Sequence, residues 1–248
     1  MGRIDAVTFD FWSTLYVEDL ESLRRRRDRR VSIAQAYFVS ASKRLASKLL
    51  REALEVTIGR ISAMRRDEHR AAGHGEVGQM LAEALGFRLN DDDARLLAEG
   101  ISSAGRDHPP APADGAGMLL EALSGTVKLA VISDTGLTFG MHLRQVMEAH
   151  GLAGYFQHFT WSDETLTTKP ASRQFLYTVH MLGVPPDRAV HVGDLEAADV
   201  RGARQVGMRT VRVGDTSAPS EADAVVPALA DVTGVLRGWG LRTRRGHP

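Results

Sequence analysis

The sequence contains no cysteine, which excludes a disulfide framework, a thiol nucleophile and a thiolate metal site. A structural zinc would need a cage built only from histidine and carboxylate, so any metal chemistry here is oxygen-based. An excess of either charge is also lacking. The 31 Lys and Arg balance 31 Asp and Glu, which argues against a nucleic-acid binder whose affinity must come from phosphate neutralisation. No apolar run approaches the roughly 18 residues of a membrane span, and the first strand-like run begins almost at Met1, leaving no room for a signal peptide. The expectation is a cytoplasmic chain with no nucleic-acid or membrane partner. What is present is ordinary: 248 residues, 43% hydrophobic and 25% charged, enough for one large or two modest domains.

The chain changes character twice. Residues Ala6 to Phe11 form a short apolar run ending in an acidic residue, as in a buried parallel strand that delivers a side chain to its carboxyl end. From about Glu18 to Arg106 the sequence is rich in Arg, Ala, Leu and Glu. Its apolar residues fall at helical spacing, as in Ile33, Ala36 and Tyr37 or Leu50, Leu54, Ile58 and Ile61, which predicts four or five helices. Breaks fall near Gly73 to Gly75 and Phe87 to Asp93, with Asp91 to Asp93 expected to cap the following helix. Pro109, Pro110 and Pro112 mark a stiff connector. Strands then return at Val127–Ser133, Phe156–Trp161, Ala189–Gly193, Arg209–Gly214 and Ala224–Val226. They alternate with helices at Met118–Leu123, Phe139–His150, Arg173–Leu182 and Ala197–Val206.

This alternation predicts an α/β fold with a doubly wound parallel sheet. Residues 1–16 and 110–236 form the core domain, residues 17–109 an inserted helical cap, and residues 237–248 a frayed tail. In such sheets ligands bind beyond the carboxyl ends of the strands. Four places qualify: Asp10 to Leu15, Ser133 to Gly136, Lys169-Pro170, and Gly193 to Asp199. Together they hold carboxylates, a hydroxyl and a lysine.

This constellation, in this order and spacing, resembles the haloacid dehalogenase superfamily of aspartate-nucleophile hydrolases. The resemblance covers nearly the whole chain, and the phrases Gly151 to Phe156, Ser162 to Glu164 and Asp199 to Ala203 are similar to those of its helical-cap members. It implies Asp10 as the nucleophile, since a carboxylate can attack phosphorus and split one hard hydrolysis into two easier steps. Asp10 and Asp194 would hold Mg²⁺, with the backbone carbonyl of Trp12 as a third ligand. Asp199 would be auxiliary, orienting water or the lysine, its alternative being a helix N-cap. Ser133 and the amide of Asp134 would bind the phosphoryl group. Lys169 would balance the converging negative charge. The partner expected is a small anionic phosphorylated substrate; a homodimer is left open.

One position departs from the pattern. Phosphatases of this family usually carry a second aspartate two residues after the nucleophile, as general acid and base, and here that residue is Trp12. Loss of such a group typically costs about a hundredfold to ten-thousandfold. Three readings follow. The first is a Mg²⁺-dependent hydrolase of a diphosphate, aryl or acyl phosphate, or one that takes its acid from His69, His74, Glu18 or Asp19. The second is a haloacid dehalogenase, which needs no acid for a halide, although Asp194 and Asp199 preserve a metal-type motif. The third is a non-hydrolytic homologue that binds a phosphate or diphosphate ligand. In the cap, Arg24 to Arg27, Arg29 and Arg30 could steer an anion, but acids interleave them and favour a solvated, ion-paired face. Tyr37, Phe38, Met64 and Phe87 could line a substrate pocket, though their spacing makes them core first.

Overall fold

The structure, a computed structural model, describes residues 3–242. Its centre is a six-stranded, all-parallel sheet of β1 (Ala6–Phe9), β4 (Lys128–Ser133), β5 (His158–Trp161), β6 (Ala189–Gly193), β7 (Arg209–Val213) and β8 (Ala224–Val226), in the order β5-β4-β1-β6-β7-β8. Strands β1 and β6 are buried along their whole length. That is why they read as continuous apolar runs rather than as alternating ones. Helices α6 (Ala116–Leu123), α7 (Gly140–Ala149), α8 (Ser172–Leu182) and α9 (Val232–Gly238) connect and cover the strands. The chain leaves β1 on one side toward β4 and β5 and on the other toward β6 to β8. The order therefore reverses at β1, and a ligand crevice is expected at its carboxyl end.

Between Tyr16–Val17 (β2) and Ala111–Pro112 (β3) the chain forms a helical block of α1 (Leu20–Ser40), α2 (Ser47–Glu68), α3 (His74–Ala84), α4 (Asp91–Ser102) and the single turn α5 (Ala104–Asp107). The proline-rich connector is extended as its sequence predicts, and it pairs antiparallel with β2 to tie the two ends of the block together. Helix α4 is capped by Asn90, whose Oδ1 accepts from the Asp93 amide at 2.9 Å. Asp91 to Asp93 instead fill the first turn, where their charges oppose the positive end of the helix dipole. Phe38, Leu50, Leu54, Leu81, Leu97 and Ile101 form the interior of the block. Phe38 and Met64 are thus core residues, with Tyr37 and Phe87 packed against them.

The carboxyl end of the chain differs from the expected frayed tail. Trp239 and Leu241 pack on the main core and the Leu241 amide donates to Leu236 at 3.0 Å, because these apolar side chains gain by burial there. The rest of the predicted tail, residues 243–248, lies outside the described residues. Among the described residues, no helix is long and apolar enough to cross a membrane.

The loop after β4 joins the two halves. Leu137 and Phe139 leave the sheet and enter the apolar interior of the helical block, while Arg30 of α1 donates to Thr138 at 2.8 Å. At the start of α3, His74 stacks on Phe139 with ring centroids 3.9 Å apart. Its Nε2 lies 3.0 Å from Asp163 and its Nδ1 3.1 Å from Glu99. The bond to Asp163, against the opposing effect of burial and with help from Glu99, holds the His74 pKa above its ordinary value. A raised pKa means that this contact stabilises the fold fully below about 6.5, the unfolded value, and ceases to do so as pH rises through the folded value. The melting temperature of the wild type should therefore exceed that of His74→Gln by about 2–4 °C near pH 6. The gap should shrink as the pH is raised toward 9; a gap independent of pH would contradict the pairing.

Candidate active site

The carboxyl end of β1 delivers Asp10. Its amide bonds back to Val192 of β6 at 2.9 Å, so the chain turns at Asp10 and β1 is two residues shorter than its apolar run. Lys169 stands against it, its Nζ 2.7 Å from Asp10 Oδ1 and 2.5 Å from Asp199 Oδ1. All three groups are buried, with exposures of 5% for Asp10, 4% for Lys169 and 1% for Asp199. An ammonium this deep is tolerable only because two carboxylates meet it.

Asp199 is the most heavily bonded member. Its Oδ1 also lies 3.1 Å from His191 Nε2, and its Oδ2 accepts from the Leu195 amide at 2.9 Å. It is therefore a buried anchor rather than the N-cap that its surroundings in sequence also allowed. His191, in the middle of β6, is fixed from behind by Thr8 of β1, with 2.8 Å between Thr8 Oγ1 and its Nδ1. Thr8, His191, Asp199, Lys169 and Asp10 thus form one continuous chain of polar contacts. Gly193 makes room for it, since a Cβ there would lie 2.3 Å from Asp199 Cγ.

The electrostatics follow from this arrangement. Burial would raise Asp199, but Lys169 and His191 outweigh it and hold the carboxyl below the usual range. Burial lowers the His191 pKa, so the imidazole is neutral. For Lys169, burial is opposed and overcome by Asp10 and Asp199, which keep the ammonium charged. Burial pushes Asp10 up against the pull of Lys169, and the Asp199 charge adds to the rise. Asp194 is pushed up to about 7 by burial and then by the charges of Asp10 and Asp199. Asp134 is pushed up to about 6, chiefly by burial.

Asp10, Trp12, Asp134, Lys169 and Asp194 line a cavity of about 190 Å³, which Ser13 and Leu195 also border. The site residues expected from the sequence come together here with two qualifications. Ser133 ends β4 fully buried, with its hydroxyl 3.5 Å from the Asp134 carbonyl, and stands behind the residues that border the cavity. The Asp134 carboxylate accepts from the Lys169 amide at 3.0 Å, so it holds the lysine segment in place. Trp12 forms part of the wall, packed edge-on to Phe11 at 4.8 Å, with the Arg26 guanidinium 5.7 Å from its ring centroid.

None of the four replacement acids borders this cavity. Glu18 pairs with Arg26, and Asp19 caps α1 through the amides of Glu21 and Ser22. His69 ends α2, its carbonyl accepting from Thr168 at 3.0 Å, and His74 is committed to Asp163 and Glu99. Of the arginine cluster, three members are spent on structure: Arg25 meets Glu21, Arg26 meets Glu18, and Arg29 meets Asp107. Two residues that matter were missed in the sequence. His191 sits inside an apolar strand, where a lone polar residue was the available signal. Arg65, from α2, borders the cavity but is one arginine among many in its helix.

Carboxylate oxygens of Asp10, Asp194 and Asp199 lie within 4.8 Å of one another. Asp199 already accepts on both oxygens, which leaves Asp10 and Asp194 as the pair able to hold a cation. An all-oxygen donor set suits a hard divalent ion such as Mg²⁺. The raised Asp194 pKa also marks a place where added positive charge relieves carboxylate repulsion.

A family model described as haloacid dehalogenase-like hydrolase matches residues 4–207. The phosphoserine phosphatase of Thermus thermophilus is 35% identical over 133 residues, 53% of this chain and 51% of that protein. The pyrimidine 5'-nucleotidase YjjG of Escherichia coli is 30% identical over 129 residues, 52% of this chain and 55% of that protein. These matches span about half the length of either relative. Among solved structures, a 2-haloacid dehalogenase from Pseudomonas syringae superposes with a TM-score of 0.69 at 22% identity, covering 95% of this chain and 99% of that one. A HAD phosphatase from Thermococcus onnurineus gives a TM-score of 0.62 at 24% identity, covering 95% and 99%. At such identities the superpositions speak for the fold alone.

The close approach at Gly193 yields a test of the site's packing. Gly193→Ala should lower the unfolding free energy by about 1–3 kcal/mol, as overpacking does in a filled interior. Denaturant melts would measure it, and a loss under about 0.5 kcal/mol would mean that Asp199 is not held where the structure places it.

Proposed function

The chain belongs to the haloacid dehalogenase-like hydrolase family, and from that premise we propose that it is a Mg²⁺-dependent hydrolase of small phosphorylated metabolites with Asp10 as nucleophile. The observation that carries this reading is the buried contact of Asp10 with Lys169 beside Asp194. It offers a carboxylate nucleophile, a fixed cation and a second oxygen donor at the mouth of one cavity. In this reading Asp10 and Asp194, with the Trp12 backbone carbonyl, hold Mg²⁺, which when bound supplies positive charge to a phosphoryl oxygen.

The remaining steps belong to the chain's own groups. Lys169 neutralises Asp10 and a phosphoryl oxygen together, allowing an anion to approach a site already rich in carboxylates. An Asp10 oxygen attacks phosphorus, forming an acyl phosphate, while the bond from phosphorus to the leaving oxygen breaks and its electron pair departs with the leaving group. Water then releases phosphate and restores the Asp10 carboxylate. Asp199 keeps Lys169 in position, and the Asp134 amide supports the phosphoryl oxygens, while Ser133, buried behind the cavity wall, backs the Asp134 segment.

Trp12 offers no proton to the leaving group, and the four acids that might have replaced it are engaged elsewhere. The substrate in this reading is therefore one whose leaving group is stable as an anion: a diphosphate, an aryl phosphate or an acyl phosphate.

With p-nitrophenyl phosphate as substrate, chelation of Mg²⁺ or Asp10→Asn should lower kcat/KM by at least about a thousandfold. Trp12→Asp should raise hydrolysis of an alkyl phosphate by about tenfold or more, the lower end of what a general acid contributes, with little effect on the aryl ester. Full activity in Asp10→Asn would overturn the proposal. Metal-independent halide release from a 2-haloacid would favour a dehalogenase instead.

A further inference from the structure

The catalytic cavity has a neighbour. Arg65 borders it and also borders a second cavity of about 90 Å³, enclosed by Ile58, Ile61 and Ser62 of α2 and by Thr135 and Leu137 of the loop after β4. Arg65 is the residue that the two linings share. On the helical-block side, Ile58, Ile61, Ser62 and Arg65 recur at the three- and four-residue steps that place them on one face of α2.

Arg65 differs from the arginines around it. Arg66 pairs with Asp67 at 2.8 Å, Arg60 with Glu83 at 3.2 Å, and Arg70 with Glu76 at 2.8 Å and Glu68 at 3.3 Å. The acids of this part of the helical block are thereby taken. Among the described residues no carboxylate comes within 4.0 Å of the Arg65 guanidinium. Its charge is the weakest of those that act on Asp134, which borders the same cavity. The second cavity has no carboxylate in its lining, only aliphatic groups, two hydroxyls and Gly136 besides the arginine. An exposed cation with no carboxylate within 4.0 Å, beside a carboxylate-free pocket, is complementary to an anion.

We infer that Arg65 and the cavity behind it form the leaving-group subsite, and that it takes a leaving group carrying its own negative charge close to the bridging oxygen. The inference rests on the Asp10 cavity being the phosphoryl site. Its chemistry meets the need that Trp12 creates. When the phosphorus–oxygen bond breaks, the electron pair stays on the leaving oxygen and no proton is transferred. The guanidinium donates hydrogen bonds to the departing anion, doing by charge what a general acid does by protonation. A second phosphoryl group and a carboxylate share this chemistry, and the choice between them is open to measurement.

The test is binding of three unreactive phosphonates to the full chain with Mg²⁺ present, by titration calorimetry: methylphosphonate, methylenediphosphonate and phosphonoacetate. Arg65→Ala should weaken one or both of the two doubly anionic ligands by about 10- to 100-fold, while methylphosphonate changes by less than about threefold. Whichever ligand responds names the anion. Arg66→Ala removes the same charge one residue away, outside both cavities, and should leave all three affinities within about threefold. The inference is overturned if Arg65→Ala weakens all three ligands alike, if Arg66→Ala does as much, or if wild type binds methylphosphonate as tightly as the others or binds none of them. Turnover of p-nitrophenyl phosphate by the same preparation reports separately on the hydrolase reading. Selective binding without turnover would remove the hydrolase reading and with it the leaving-group role, leaving Arg65 as an anion-binding residue only.

Discussion

A buried ammonium held between two carboxylates is the contact on which the rest of this site depends. Lys169 cannot stay charged at that depth without Asp10 and Asp199, and those two cannot both stay ionised a few ångströms apart without Lys169. Each remaining feature of the site services that arrangement. The Leu195 amide and His191 fix Asp199, Thr8 fixes His191, and the missing side chain of Gly193 lets Asp199 come close. Asp134 accepts from the Lys169 amide and so sets where the lysine backbone runs. Removing any one link leaves a buried charge or polar group without its partner, which costs more than the link itself contributes.

The sheet makes this possible by bringing four distant segments to one edge. Strands β4, β1 and β6 are adjacent and parallel, so their carboxyl ends present Asp134, Asp10 and Asp194 side by side. The loop after β4 does two jobs within a few residues. Asp134 steadies the lysine at its start, and Leu137 and Phe139 are sunk in the interior of the helical block at its end. A shift of that block is therefore coupled to the wall of the site through a short stretch of chain. Lys169 is tied to the block as well, because Thr168, its neighbour, donates to the carbonyl of His69.

Much of this was legible in the sequence, for physical reasons. Strands buried on both faces are written as unbroken apolar runs, and the polar residue that ends each run marks the sheet edge where ligands bind. Asp10, Asp134 and Asp194 could therefore be named from their positions alone. Lys169 and Asp199 lay in the same four segments picked out by position, and the resemblance to aspartate-nucleophile hydrolases assigned their roles. What was not legible depends on long-range pairing. His191 looks like an intruder in β6 until Thr8 and Asp199 are placed on either side of it. The capping role of Asn90 was assigned to the aspartates after it because all four residues suit a helix start. His74 and Glu18 were reasonable proton donors by composition, but their partners, Asp163 with Glu99 and Arg26, are set by how the helical block sits on the sheet. Arg65 is distinguished from its neighbours only by the acids it lacks.

Trp12 gives the site its character. With an indole where a proton donor would stand, the proposed reaction would lean on charge: Lys169 and a bound metal on the phosphoryl side, and the Arg65 guanidinium on the leaving-group side. The proposed reaction requires that Asp10 form the bond to phosphorus. The most direct measurement is acid quenching of the protein during turnover of an aryl phosphate, followed by mass spectrometry of its peptides. The account predicts a phosphoryl group on the peptide containing Asp10, at the Asp10 side chain. Turnover with that peptide unmodified and the phosphoryl group found on another residue would contradict it.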